Sequence, residues 1–337
     1  VADVYQGWRE ALEQLGQQIN TLNLDARLTL FQRALVETGS VDEHGAVGLR
    51  RAVDDDAAIH LASDGVLSAA YKCLPDAVLI IYGAFVSTEL LDILRARGVK
   101  VVILHTEQPY QLAEEIARAP HADISILTDP THLDKFQAIG PAYYQPHSYR
   151  PSVHHPGPPS PGMTSDLCFV GTGFPSRVQF LEQMDLDGLD VLLAGQWQML
   201  EADSPLRKWL AHDDQECLDN DQAAQVYRSS RASLNLYRRE AERPELSAGY
   251  AMSPRELEMA ACRLWFARDP RPEGDELLPL PTFTDAEQAS ELVRWFLAHD
   301  GPRQAMADAA RDAIADRTFT TAAKRLLTLL DRQPVNR

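Results

Sequence analysis

The sequence predicts an α/β protein made of two Rossmann-like domains that face a cleft and are joined by a proline-rich hinge. Short apolar runs bounded by Pro, Gly or Asp alternate with amphipathic stretches, the pattern of right-handed βαβ units and parallel sheets. The alternation occurs twice. Between the two series lie prolines at 146, 151, 156, 158, 159 and 161, with Pro141 just upstream, and neither helix nor sheet accommodates such a stretch. A length of 337 residues suits two cores of ordinary size. The expected division is residues 1–150, a hinge at 151–165, a second domain at 166–317, and a closing helix at 318–337 that packs back on the first domain.

In chain order, Tyr5, Trp8, Leu12, Leu15 and Ile19 mark one face of a first helix, and Leu24, Leu28, Phe31 and Leu35 mark a second. The acidic, alanine-rich stretch from Val41 to Leu67 reads as helix and loop. Asp76 to Tyr82, between Pro75 and Gly83, reads as a fully buried strand. A helix (87–97), a strand (99–104), a helix (111–119), a strand (123–127) and a short helix (131–138) follow. The second series expects strands at 166–170, 190–194, 232–237 and 264–268, with helices at 175–184, 222–229 and 254–261. Helical stretches at 285–299 and 302–330 close the chain.

With 32 basic against 49 acidic side chains the net charge is −17, and no basic run exceeds Arg50-Arg51 or Arg238-Arg239, so nucleic acid is a disfavoured partner. No apolar run approaches the ~20 residues of a membrane span. Cys73, Cys168, Cys217 and Cys262 lie far apart, which speaks against zinc or a disulfide framework and for buried thiols. With no secretory leader visible, a cytoplasmic location is expected. The chain starts at Val1 directly in a helical pattern, so residues upstream are expected to be missing.

Two motifs carry chemistry. Gly171-Thr172-Gly173-Phe-Pro-Ser176-Arg177 follows a strand and opens a helix. Glycines admit a ligand close to the backbone, the helix start offers free N–H groups to a phosphate, and Arg177 in the first turn adds a charge-assisted contact. The bland alternative is an ordinary βα turn. A nicotinamide-dependent oxidoreductase would use a similar loop, but Ser176 replaces the third glycine and Asp190 stands at the wrong end of the next strand. In Ser253-Pro-Arg255-Glu-Leu-Glu258, Ser253 and Glu256 form a capping box, so a helix start explains the residues as they stand. Arg255 and Glu258 share a face as a surface ion pair, or Arg255 faces phosphate while Glu258 accepts from vicinal hydroxyls.

The motifs F-V-G-T-G-x-x-x-R (Phe169–Arg177), L-N-L-Y-R (Leu234–Arg238), S-P-R-E-x-E-x-A-A-C (Ser253–Cys262) and R-T-F (Arg317–Phe319) occur in this order. Upstream stand P-D-A-V-L-I (Pro75–Ile80), T-E-Q-P-Y (Thr106–Tyr110) and P-H-S-Y-R-P (Pro146–Pro151). Over nearly its whole length the chain resembles the group-1-like glycosyltransferases of the GT-B fold, most of all a subset found in phages of actinobacteria. The resemblance implies a nucleotide-sugar on the second domain and an acceptor on the first. It makes Gly171 to Gly173 and Arg177 diphosphate contacts, Arg255 a second phosphate ligand and Glu258 the ribose ligand, with Tyr237, Arg238 and Ser253 beside them. Two positions depart from the family: Tyr250 stands where retaining members carry a partner glutamate, and Arg263 where a glycine follows A-A-C. Such folds usually open with a strand and a glycine-rich loop upstream of the first helix.

Acceptor-side candidates lie at the carboxyl ends of the first domain's strands: Tyr82 and Gly83, then His105 and Glu107, either of which could deprotonate a hydroxyl, with His147 in the hinge. A retaining enzyme manages without a dedicated base. For His105 a half-buried structural role is the alternative. His154 and His155 are adjacent and lack carboxylate spacing for metal, and Asp185-Leu-Asp187 and Asp219-Asn-Asp221 are expected by chance in so acidic a chain. Trp197 lines the base or sugar pocket or is simple packing. The expectation is metal-independent, cofactor-free transfer of a hexose from a nucleotide-sugar, a UDP-sugar above others, retaining rather than inverting, to a protein or glycan hydroxyl rather than DNA. The alternatives are a non-catalytic nucleotide-sugar or glycan-binding protein and the oxidoreductase.

Overall fold

The computed structural model describes residues 2–108, 110–213, 217–240 and 248–332. Val1, Pro109 of the Thr106–Tyr110 motif and residues 333–337 of the closing segment lie outside the described residues. The chain opens with α1 (Ala2–Gln14), α2 (Leu24–Arg33), a hairpin of β1 (Leu35–Val41) and β2 (Val47–Arg51), and α3 (Asp55–Cys73). The first βα series is β3 (Ala77–Ile81), α4 (Thr88–Ala96), β4 (Lys100–His105), α5 (Leu112–Arg118), β5 (Ile124–Leu127), α6 (Leu133–Gln137) and β6 (Ala142–Tyr144). The second is β7 (Ser165–Val170), α7 (Pro175–Gln183), β8 (Val191–Ala194), α8 (Asn220–Ser229), β9 (Ser230–Asn235), α9 (Pro254–Ala261) and β10 (Trp265–Arg268). Helices α10 (Pro272–Leu277), α11 (Ala286–Ala298), α12 (Asp300–Ala313) and α13 (Phe319–Arg332) follow.

Contacts group these elements into two compact units, one comprising residues 12–128, 132–144 and 326 onward, the other 1–11, 129–131 and 145–325. Each holds one parallel sheet, giving the two Rossmann-like domains expected. In the first unit the order is β3-β4-β5-β6, so the described strands succeed one another without reversal. Ser87 caps α4 by accepting the Leu90 N–H at 3.4 Å, which turns Leu90, Leu91 and Leu94 onto Ile80, Val101 and Ile103. Burying each of those leucines contributes about 1.5–3 kcal/mol.

In the second unit the order is β10-β9-β7-β8. The chain leaves β7 for β8 on one side and returns to β9 on the other, so strand order reverses at β7. In doubly wound sheets a crevice opens at the carboxyl ends beside such a reversal. Gly171 follows β7, and Asn235 ends β9. Leu167, Phe169, Leu193, Leu234, Phe266 and Val293 pack the core beneath.

Two stretches differ from the sequence expectation. Residues 35–51, read as the end of a helix followed by helix and loop, form a hairpin because Asp42 Oδ1 accepts the N–H of His44 (2.9 Å) and Ala46 (2.8 Å), closing an Asx turn. The stretch 302–330 is two helices, because Thr318 restarts the chain by accepting the Thr321 N–H at 3.2 Å.

Arg263, the residue after the Ala260-Ala261-Cys262 segment, has φ +63 and closes α9. Its guanidinium pairs with Asp308 on α12, Nη2 to Oδ2 at 2.7 Å. A left-handed backbone costs a side chain roughly 1–2 kcal/mol and a surface ion pair returns at most ~1. Arg263→Gly should therefore be more stable than Arg263→Ala by about 1 kcal/mol in urea unfolding, since both lose the ion pair and only the alanine keeps the strain. Equal stabilities would show that α9 ends without strain.

Candidate functional site

The loop after β7 is fixed before any ligand arrives. Gly171 N–H donates to Ala194 O at 2.9 Å and Gly173 N–H to Gln196 O at 2.7 Å, so the loops after β7 and β8 run side by side. A Cβ on Gly173 would lie 2.3 Å from the Trp197 ring, and a Cβ on Gly171 would lie 3.0 Å from Arg255 Nη2. Gly173 thus makes room for a tryptophan, and Gly171 for a guanidinium. Trp197 is 0% exposed and meets Phe169 edge-on at 5.8 Å. It belongs to the packing under the loop and not to a pocket wall, because its ring fills the space the glycine leaves.

Arg177 was expected to meet phosphate, and the structure turns it inward instead. It is 6% exposed, donates from Nε to Leu236 O at 3.0 Å and from Nη1 to Thr172 O at 2.9 Å, and lies near the rings of Phe169 and Phe174. The guanidinium fork thus joins the loop after β7 to the loop after β9, donating to Leu236 O and adding a second donor to Thr172 O, which also accepts the Phe174 N–H at 2.9 Å. Tyr237 is likewise occupied. Its hydroxyl donates to Glu256, its N–H donates to Asp269 at 2.9 Å, and Arg271 stacks on its ring at 4.1 Å.

Asn235, missed in the sequence, is the hub of this edge. It is 0% exposed, and its Oδ1 accepts from Ser253 Oγ and from Arg255 Nη1, both at 3.0 Å. Its only sequence signal is an amide closing the strand Ser230–Asn235. Ser253 N–H donates to the buried Glu256 at 2.8 Å, the capping-box contact, and burial pushes the Glu256 carboxyl up. Arg255 remains half-buried in the first turn of α9, its guanidinium 5.7 Å from the Phe169 ring centroid. Glu258, one turn on and half-buried, accepts from Asn220 Nδ2 at 3.4 Å. Arg238 lies over Phe174 at 4.7 Å. The edge therefore brings together Gly171, Thr172, Arg177, Tyr237, Ser253 and Arg255. Two other arginines are paired with carboxylates, Arg239 with Asp269 at 2.8 Å and Arg317 with Glu273 at 3.0 Å.

The acidic triplets do structural work: Asp219 caps α8 by accepting the Gln222 N–H at 2.8 Å, and Asp185 pairs with Arg294 at 2.7 Å. Among the described residues no group of His, Cys, Asp and Glu is arranged to hold a metal ion. Tyr250 donates from its hydroxyl to Glu276 at 2.7 Å. Asp129 accepts the N–H of Tyr250 and of Ala251, both at 2.9 Å. His147, only partly exposed, is pulled down to about 4 by desolvation, with Asp129 opposing.

At the carboxyl edge of the first sheet, Tyr82 and Gly83 both take left-handed conformations, φ +71 and +77, and Tyr82 donates to Gln111 at 2.6 Å. Glu107 is half-buried, and its N–H donates to Glu115 Oε1 at 3.1 Å. His105 does not face an acceptor as expected. It is 0% exposed, reaches Ser125 Oγ at 3.2 Å and packs on Phe136, because β4 is buried from Val101 to its last side chain. Desolvation pulls His105 down to about 3 and pushes the equally buried Glu115 up to about 7.

These shifts oppose each other. A lowered histidine contributes stability that is lost as pH falls below the unfolded value of 6.5, and a raised carboxyl contributes stability that is lost as pH rises from 4.5 to about 7. Between those unfolded values the slopes cancel. Glu115→Gln should leave only the histidine slope, about 1.4 kcal/mol per pH unit, so urea unfolding of this unit should gain about 2–3 kcal/mol from pH 4.5 to 6.5 where the parent is flat. A variant as flat as the parent would place the titration elsewhere.

Residues 177–331 match the family described as Glycosyl transferase-like. Among curated proteins no relative matches. Solved structures similar to the chain include sucrose-phosphate synthase from Thermosynechococcus elongatus, 13% identical, covering 82% of this chain and 78% of that one, with a TM-score of 0.58. The trehalose-6-phosphate phosphatase N-terminal domain of Candida albicans is 11% identical over 94% of this chain and 83% of its own, TM-score 0.60. Alr3699/HepE of Anabaena, in complex with UDP-glucose, is 10% identical over 81% and 82%, TM-score 0.54. At such identities the likeness establishes the fold, paired Rossmann-like domains of the GT-B kind. No helix among the described residues is long and apolar enough to cross a membrane.

Proposed function

We propose that the chain is a glycosyltransferase that takes a sugar, a hexose, from a nucleotide donor bound at the carboxyl edge of the second sheet. One observation carries the reading: at the point where strand order reverses, the Arg255 guanidinium, oriented by Asn235, stands 3.0 Å from the Cβ position of Gly171, leaving bare backbone beside a fixed cation. A diphosphate fits this chemistry, since its oxygens accept from guanidinium and loop amides together. Arg255 and Arg238 stabilise the departing diphosphate, Glu258 holds the ribose hydroxyls, and Arg177 keeps the two loops in place. The UDP-glucose in the Anabaena complex supports a UDP-sugar.

Transfer is retaining, with the proton of the acceptor hydroxyl taken by the leaving phosphate, and the arginines do the work of a metal. Tyr82, Gly83, Glu107 and His147 serve the acceptor, a protein or glycan, for which a charge of −17 is more suitable than for DNA. The likeness to the subset found in phages of actinobacteria supports action in a host cytoplasm. A thermal-shift panel of UDP-, GDP- and TDP-sugars, followed by a donor-hydrolysis assay, tests the proposal. Stabilisation by about 3 kcal/mol at a hundredfold excess over Kd, with slow hydrolysis, is expected. Binding without turnover across donors and acceptors would leave a sugar-nucleotide binder, and no stabilisation by any donor would end the reading.

A further inference from the structure

We propose that Glu240 is an internal competitor for the donor's diphosphate: its carboxylate sits on the first free amide of α7 and has to leave before a phosphate takes that place. The inference rests on the donor reading above. Pro175 opens α7 and has no N–H, so Ser176 supplies the first amide the helix can offer. That amide donates to Glu240 Oε1 at 2.7 Å, while Oε2 accepts the Arg239 N–H at 3.2 Å. Phe174, at the cap position, has no side chain able to take the role. Burial by itself would raise the Glu240 carboxyl, but the donors around it, Ser176 foremost, hold it below the usual range.

The seat has the chemistry of a phosphate site and not of a simple cap. The same β7–α7 loop carries the bare backbone of Gly171, whose Cβ position lies 3.0 Å from the Arg255 guanidinium. Asn235, whose Oδ1 is taken by Ser253 and Arg255, keeps an Nδ2 that is buried and has no hydrogen-bond partner. A carboxylate satisfies the helix amide alone. A diphosphate, with more oxygens and more charge, satisfies the amide and the guanidinium together, and on that ground displaces Glu240. The cost of displacement appears as a weakened affinity, set by the fraction of molecules in which the seat is free.

Isothermal titration of UDP, pyrophosphate and uridine into the full chain and its Glu240→Gln and Glu240→Ala variants tests this. If the carboxylate holds the seat about nine-tenths of the time, Glu240→Ala should bind UDP and pyrophosphate about tenfold more tightly, Glu240→Gln by a smaller factor, and uridine should be unchanged. Because the two variants differ in whether a neutral acceptor remains, a folding defect in one leaves the other to decide. UDP affinity that is equal to or weaker than the parent's in the folded variants overturns the inference while leaving the donor reading intact, as does a gain shared equally by uridine. Failure of parent and variants to bind any of the three probes sinks the donor reading, and the inference with it.

Discussion

Gly195→Ala should cost the second-sheet unit about 3–5 kcal/mol and lower its melting temperature by roughly 10 °C or more. Gly195 follows β8 at φ +111, and a Cβ there would lie 2.3 Å from Gly171 O and 2.8 Å from Gly171 C. The neighbour is backbone, and it cannot swing aside as a side chain can. It is also tied down, since Gly171 N–H donates to Ala194 O at 2.9 Å and Gly195 N–H to His212 Nε2 at 3.0 Å. Relief of the clash must separate the two loops and break the pairing that shapes the donor edge. Gly188→Ala is the control: φ is +75 there, but nothing lies within 4 Å of the new methyl, so only the left-handed strain of about 1–2 kcal/mol is paid. If both substitutions cost the same, the loops after β7 and β8 do not touch as described.

What the sequence made legible and what it hid follow from how far each interaction reaches along the chain. The strand β3 was readable because Ala77 to Ile81 is uninterrupted apolar, with Pro75 before and Gly83 after. The hairpin β1–β2 was not, because β1 is exposed at every position, with Leu35 at 56% and Val41 at 65%, and a strand without a buried face has no alternation to detect. The Ser253–Glu256 cap was readable because both partners lie within one turn. Asn235, which orients Arg255, and Glu240, which occupies the amide of Ser176, act over 20 and 64 residues, and periodicity carries no trace of such pairs. His105 shows the intermediate case. Its burial continues that of Val101 to Leu104, yet a histidine closing a strand draws a functional reading unless both faces of the sheet are known to be covered. The glycines of the Gly171 loop were found for one reason and kept for another, since Gly173 makes room for Trp197, a ring 24 residues downstream.

Arg177→Ala should destabilise the same unit by about 2–4 kcal/mol and weaken uridine and UDP binding by similar factors. The guanidinium spans two loops, holding Thr172 O after β7 and Leu236 O after β9, with Phe169 and Phe174 against it. Truncation takes the side-chain donor from Leu236 O, at about 1–3 kcal/mol where that carbonyl stays dry, leaves Thr172 O with the Phe174 N–H at 2.9 Å, and removes packing between aromatic rings. Arg177→Lys keeps the charge but offers a single ammonium where a fork is needed, and should recover little of the loss. The binding pattern separates support from contact. An arginine that touched the diphosphate would cost UDP far more than uridine, as is expected of Arg255→Ala, whose guanidinium is only half-buried. Arg177 acts on the loops that shape the whole edge, so base, ribose and diphosphate all lose their places together. A loss confined to UDP, with unfolding unchanged, would return Arg177 to the phosphate and require its guanidinium to turn outward on binding.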